Sequence, residues 1–202
     1  MKMLWSRVLK NVLCCKMRKI NFLIVSRTIK KVLFIGCPAL LLLGSCMREE
    51  LVNMVNEQES QIEKYVETLD DVEVAVDDGV WRVVMDGGSN NYSAVAGDSV
   101  SFNYSAYIFR SGKGSLFDTN IRSVAKEAKL DLDLSAFTPR KRRIGRGELI
   151  KGLDKGLLGV RKGDRCYIIF SSKYGYGNKQ IGMIPKMSPL IYEVWILDVN
   201  KN

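Results

Sequence analysis

Gly145-Arg146-Gly147-Glu148-Leu149-Ile150-Lys151-Gly152-Leu153, then Tyr174-Gly175-Tyr176-Gly177, then Pro189-Leu190-Ile191-Tyr192-Glu193-Val194: these stretches set aromatic and apolar residues among glycines, spaced like the walls of a ligand pocket. Phe102-Asn103-Tyr104 and Leu116-Phe117-Asp118 precede them, and Met183-Ile184-Pro185 falls just before the last. The chain contains no His. It offers no Ser or Cys with a base beside it and no cluster with metal-ligand spacing. A hydrolase or a metal enzyme would lack its working parts, so no metal and no cofactor is expected. Chemistry on this tract has to work by shape and desolvation.

The flanking sequence places the tract on a sheet. Val100, Phe102 and Tyr104 alternate with Ser101, Asn103 and Ser105, the pattern of a half-buried strand. Arg140 to Ile144 reads as a basic strand and Leu149 to Leu158 as a short helix. Strands near 165–170 and 190–199 close the chain. Upstream, Val72–Val76 and Val80–Met85 flank Asp77-Asp78-Gly79, a hairpin with an Asp-Gly turn. Ile121, Val124, Ala125 and Ala128 share a helical face, with Asn120 as its expected N-cap. The class is α+β with an antiparallel sheet.

Charge divides the chain. Of 202 residues, 31 are Lys or Arg and 22 are Asp or Glu. Nine bases and no acid lie in residues 1–46, so the remainder is formally neutral and the basic balance belongs to the leader. The leader ends in a mostly apolar run, Val32 to Leu43, followed by Gly44-Ser45-Cys46. As a helix that run would span about 18 Å, short of a bilayer core of about 30 Å. It reads as an export signal, and the small residues before Cys46 resemble a bacterial lipobox, which makes Cys46 the expected lipidation site. Glu49 to Leu69 carries Leu51, Val55, Ile62, Tyr65, Val66 and Leu69 at largely helical spacing in an acidic background. It is expected to be a solvated spacer. The organisation is therefore a signal peptide at 1–45, an acidic helical spacer and hairpin at 46–91, and a domain at 92–202. Cys166, within Arg165–Phe170, reads as a core thiol.

With these anchors in order, residues 95–199 resemble an FKBP-type peptidyl-prolyl cis-trans isomerase domain, whose antiparallel sheet wraps around one short helix. The anchors include Gly97-Asp98, Tyr104, Phe117-Asp118, Glu148-Leu149-Ile150, Lys162-Gly163-Asp164, Tyr174-Gly175-Tyr176-Gly177 and Ile184-Pro185. The resemblance implies catalysis through Tyr104, Asp118, Ile150 and Tyr176, with substrate binding by Phe117, Leu149, Leu153, Ile184 and Tyr192. It implies proline-containing polypeptide clients. The leader and the Asn120–Ser135 insertion further resemble envelope lipoproteins of Bacteroidetes-like bacteria, implying attachment to an envelope membrane and a role in folding envelope proteins.

The chain departs from the family pattern at three places, one of them a short loop after Tyr176 where Lys179 and Gln180 should alter substrate preference more than chemistry. Leu153 stands at the pocket floor, where Trp is usual. Arg140 and Arg142 stand where the family places aromatics, with Phe137 available as a replacement. The alternative function is a non-catalytic binding or chaperone module on the same fold. The basic run is not expected to bind nucleic acid, because no aromatics interleave it. An acidic partner for Arg140, Arg142 and Arg143 fits it better.

Overall fold

The computed structural model describes residues 48–88 and 92–201. The leader and the expected lipidation site, Cys46, lie outside them. Two compact units divide the chain, Met1–Leu51 and Val52–Asn202. Helix α1 covers 48–67, and all but its first four residues belong to the second unit.

The strands of that unit form one antiparallel sheet. In chain order the elements are β1 (Glu73–Asp77), β2 (Val80–Asp86), β3 (Ser99–Phe109), β4 (Lys113–Thr119), α2 (Arg122–Glu127), β5 (Arg140–Arg143), α3 (Lys151–Gly156), β6 (Arg165–Phe170) and β7 (Leu190–Asn200). Across the sheet the order is β1-β2-β6-β7-β3-β4, with β5 also paired to β3. Strand β3 is long enough for two partners on one edge. β5 takes Ser99 to Phe102, and β4 takes Ser105 to Phe109. The gap between them opens beside Tyr104.

Strand β6 shows why the sheet has two covered faces. Cys166, Ile168 and Phe170 enter one apolar cluster, with Leu153 of α3 and Leu157 at its C-cap. Tyr167 and Ile169 enter another, with Ile62 and Val66 of α1. The strand's period of two splits a continuous apolar run between two cores. Helix α3 can lie close because Gly152 and Gly156 face the sheet. A Cβ at Gly156 would lie 2.1 Å from Ile168 Cγ2, and one at Gly152 would lie 2.3 Å from the Phe170 ring.

Three expectations are corrected. Residues 52–67 do not form a solvated spacer. Ile62 is fully buried, and the apolar stripe of α1 closes the second core while Glu57, Glu63 and Glu67 are exposed. The hairpin likewise joins the sheet through β2 and β6, from Val80↔Phe170 to Asp86↔Arg165. The compact unit therefore begins at Val52 and includes the helix and hairpin ahead of residue 92. Asn120 does not cap α2, whose N-cap is Ile121 with no side-chain bond. It turns inward, as described below. The helix expected over 149–158 is shorter, Lys151–Gly156, with Ile150 extended at its N-cap (φ −61°, ψ 147°). The Asp-Gly turn forms as expected, with Asp78 (φ 47°) and Gly79 (φ 78°) both left-handed, the two-residue hairpin geometry that glycine favours.

Candidate active site

A cleft opens between α3, β5 and the face of β3 and β7. It is lined by Phe102, Tyr104, Asp118, Arg140, Arg142, Glu148, Leu149, Ile150, Leu153, Tyr176 and Tyr192. All four residues expected to act in catalysis meet there, with Leu149, Leu153 and Tyr192 of the expected binding set. The other two do not line it. Phe117 stands behind Tyr192, edge to face at 5.9 Å. Ile184 is buried in the adjoining core. Both buttress the wall.

Each side chain is held by the local fold. Tyr104 is nearly buried, and its hydroxyl donates to Asp118 Oδ2 at 2.6 Å. Burial first, then the Asp118 bond and charge, push the phenol up to about 12, while Arg140 at the hydroxyl pulls the other way. Tyr192 is raised well above its ordinary value by burial, with the neighbouring Tyr176 hydroxyl adding to the effect. Both phenols thus stay protonated and can donate. Tyr192 stacks on Phe170 at 5.9 Å and leans on Tyr104 at 6.1 Å, giving an aromatic floor.

Asn120 was missed as a functional residue, and it fixes this wall. Its Oδ1 accepts from the Tyr104 N–H at 2.7 Å, and its Nδ2 donates to the Thr138 carbonyl at 2.9 Å. It therefore couples β3 to the segment that delivers Arg140. A buried Asn at the end of a strand carries no periodic signal, so only the hydrogen bonds reveal it. Phe102 and Glu148, which the pocket-like stretches contain without an assigned role, also line the cleft. Phe102 was legible as an inward residue, two positions before Tyr104.

Across the cleft, the Gly152 N–H donates to the Tyr174 carbonyl at 2.9 Å, which seats the loop carrying Tyr176 beside the start of α3. Ile150 sits just before that helix, and its N–H meets no acceptor among the described residues. Phe137 does not replace the displaced aromatics. It lies under the Arg122 guanidinium, 5.1 Å from ring centre to Cζ. Arg140 and Arg142 themselves enter the lining.

An antiparallel sheet wrapped over a short helix, with an aromatic cleft and no His in the chain, defines a binding pocket for an apolar group rather than an acid–base site. The family model for FKBP-type peptidyl-prolyl cis-trans isomerase matches residues 90–197. FK506-binding protein 1 of Aspergillus oryzae is 34% identical over 128 residues, covering 60% of this chain and 99% of that protein. FK506-binding protein 2 of Emericella nidulans is 33% identical over 89 residues, covering 43% of this chain and 66% of that protein. A crystal structure of the three FKBP domains of wheat FKBP73 matches in fold with a TM-score of 0.52 at 18% identity. That match covers 65% of this chain and 50% of the wheat chain. The chain belongs to the FKBP-type peptidyl-prolyl cis-trans isomerase family, and it is an isomerase of X-Pro bonds.

Proposed function

We propose that this isomerase is held at a bacterial envelope membrane by lipid on Cys46 and assists the folding of envelope proteins. The leader supports the location, with its basic start, apolar run and Leu43-Gly44-Ser45-Cys46 ending. The observation that carries the mechanism is the Tyr104–Asp118 bond inside an aromatic cleft, with Ile150 and Tyr176 among the other lining residues.

An X-Pro bond rotates over a barrier of roughly 18–20 kcal/mol because amide resonance is broken on the way. The twisted amide has lost the charge separation of the planar one. Walls made by Leu149, Leu153 and Tyr192 therefore penalise the planar form more than the twisted form. Asp118 fixes the Tyr104 ring. The Ile150 N–H and the Tyr176 hydroxyl hold substrate carbonyls through the rotation. Phe117 and Ile184 act from behind, keeping Tyr192 and the 181–188 loop in place.

Exchange NMR on a Leu-Pro peptide tests the roles. Removing one donor costs about 0.5–1.5 kcal/mol, so Tyr176→Phe is expected to lower kcat/KM by about three- to tenfold. Asp118→Ala should cost at least as much, and unchanged turnover in both would remove the assigned mechanism. Metabolic labelling with an alkyne fatty acid tests the anchor. Wild type should label and sediment with membranes, and Cys46→Ala should do neither. An unlabelled wild-type protein rejects the anchor.

A further inference from the structure

We infer that Arg140 and Arg142 make the cleft selective for prolines flanked by an acidic side chain, so that its preferred clients carry Asp or Glu next to the X-Pro bond. The inference rests on the isomerase reading of the same cleft and names its substrate class.

Strand β5 alternates. Arg140 and Arg142 are half-buried while Lys141 and Arg143 are exposed. Pairing with Phe102 and Val100 of β3 puts the two half-buried arginines side by side on the cleft wall. A guanidinium drawn partly out of water is costly unless a counter-charge meets it. Among the described residues neither forms an ion pair. Arg142 Nη1 donates only to the adjacent Lys141 carbonyl, at 2.8 Å, and Arg140 lies at the Tyr104 hydroxyl.

The two carboxylates of the cleft are each oriented by a neutral donor and not by these arginines. Asp118 accepts from Tyr104, and Glu148 Oε2 accepts from the Arg143 N–H at 3.2 Å. In the acidic N-terminal part of the unit, Asp77 pairs with Lys155, and Asp78 pairs with Lys155 and Lys173. Lys141, Arg143 and Arg146 are exposed and add positive charge along the same stretch of chain. Two planar five-donor groups therefore stand on the cleft wall, beside Asp118 and Glu148 but in an ion pair with neither. A substrate carboxylate one residue from the proline would supply the missing charge as the proline enters.

The test uses the intact chain in detergent and peptides that differ only in charge. Ala-Glu-Pro-Phe is compared with Ala-Gln-Pro-Phe, and Ala-Leu-Pro-Glu with Ala-Leu-Pro-Gln, by exchange NMR for turnover and by chemical-shift titration for binding. At least one Glu peptide should exceed its Gln partner in kcat/KM by about two- to fivefold, the range of a partly exposed ion pair. The ratio should shrink at high salt. In Arg140→Leu/Arg142→Leu it should fall to near one, whatever happens to the absolute rates. Equal turnover of Glu and Gln peptides in the wild type overturns the inference and leaves the isomerase reading standing. A ratio that survives in the double variant overturns the assignment to these arginines. If no peptide turns over but the Glu forms bind more tightly in an arginine-dependent way, the selectivity stands and the catalytic reading fails.

Discussion

Gln58 and Met187 are joined across 129 positions of chain by a hydrogen bond of 2.7 Å from Gln58 Nε2 to the Met187 carbonyl. The same side chain accepts from the Ser172 N–H at 2.9 Å through its Oε1. Helix α1 therefore grips both ends of the loop that carries Tyr176 and Ile184. Glu59 adds a third tie by accepting from Ser171 Oγ at 3.0 Å. Met187 is itself left-handed (φ 55°), and its N–H closes back on the Gly177 carbonyl at 2.9 Å. The acidic helix is part of the machinery that positions the site.

Gln58→Leu keeps helix propensity close to that of Gln but leaves two partly buried backbone groups without partners. Such groups cost about 1–3 kcal/mol. We expect faster amide exchange at 172–187 and a several-fold lower kcat/KM on a Leu-Pro peptide, with unchanged circular dichroism. Turnover and exchange both at wild-type values would reduce α1 to packing.

Gly156→Ala places a methyl group where Ile168 Cγ2 would be 2.1 Å away. The helix has to back off the sheet, and overpacking of this kind costs about 1–3 kcal/mol. For a chain of this size the melting temperature should fall by roughly 3–10 °C in calorimetry. A Tm within a degree of wild type would mean that α3 is not held as tightly as its glycines imply.

Much of this was legible from residue patterns, because those patterns are local. Val100, Phe102 and Tyr104 show their strand by alternation, and Asp77-Asp78-Gly79 shows its turn by left-handed preference. Tyr104 and Asp118 converge because they sit on paired strands, and Ile150 because it opens α3, whereas Tyr176 comes on a loop that distant contacts seat. What was not legible depends on contacts distant in sequence. The stripe of α1 looks the same whether it faces water or Phe109 and Tyr167. Asn120 looks like a cap until its amide is seen to bridge Tyr104 and Thr138. The side of β5 that faces the cleft was equally undetermined, since Arg140 and Lys141 carry the same charge.

Cys166 is fully buried, and burial pushes its thiol up to about 12. The thiolate is the reactive form, so Cys166, read by peptide mapping apart from the chain's other four cysteines, is expected to react with a disulfide reagent only as fast as the fold opens. Full labelling is expected in denaturant, with little in native buffer over an hour-scale assay. Rapid native labelling would show that β6 is exposed far more often than its place in the sheet allows.

The pH dependence follows from the phenols. Tyr104 is raised by burial first and by Asp118 second, to about 12, and Tyr192 is raised well above its ordinary value. An unfolded tyrosine ionises near pH 10. Below that value both states are protonated, so the stabilisation from these groups is fully present. As pH rises from about 10 through about 12, the unfolded chain loses its phenol protons first and the stabilisation is lost. Denaturant midpoints should therefore hold steady up to about pH 9 and fall beyond about pH 10. Catalysis should show no titration of Tyr104 or Tyr192 between about pH 6 and 9, because both remain protonated throughout. Asp118→Asn removes the negative charge and leaves burial, so the Tyr104 ionisation followed by ultraviolet titration should move down toward the ordinary value. A bell-shaped rate profile centred near neutrality would contradict this account, because it would require a proton transfer for which the cleft has no His.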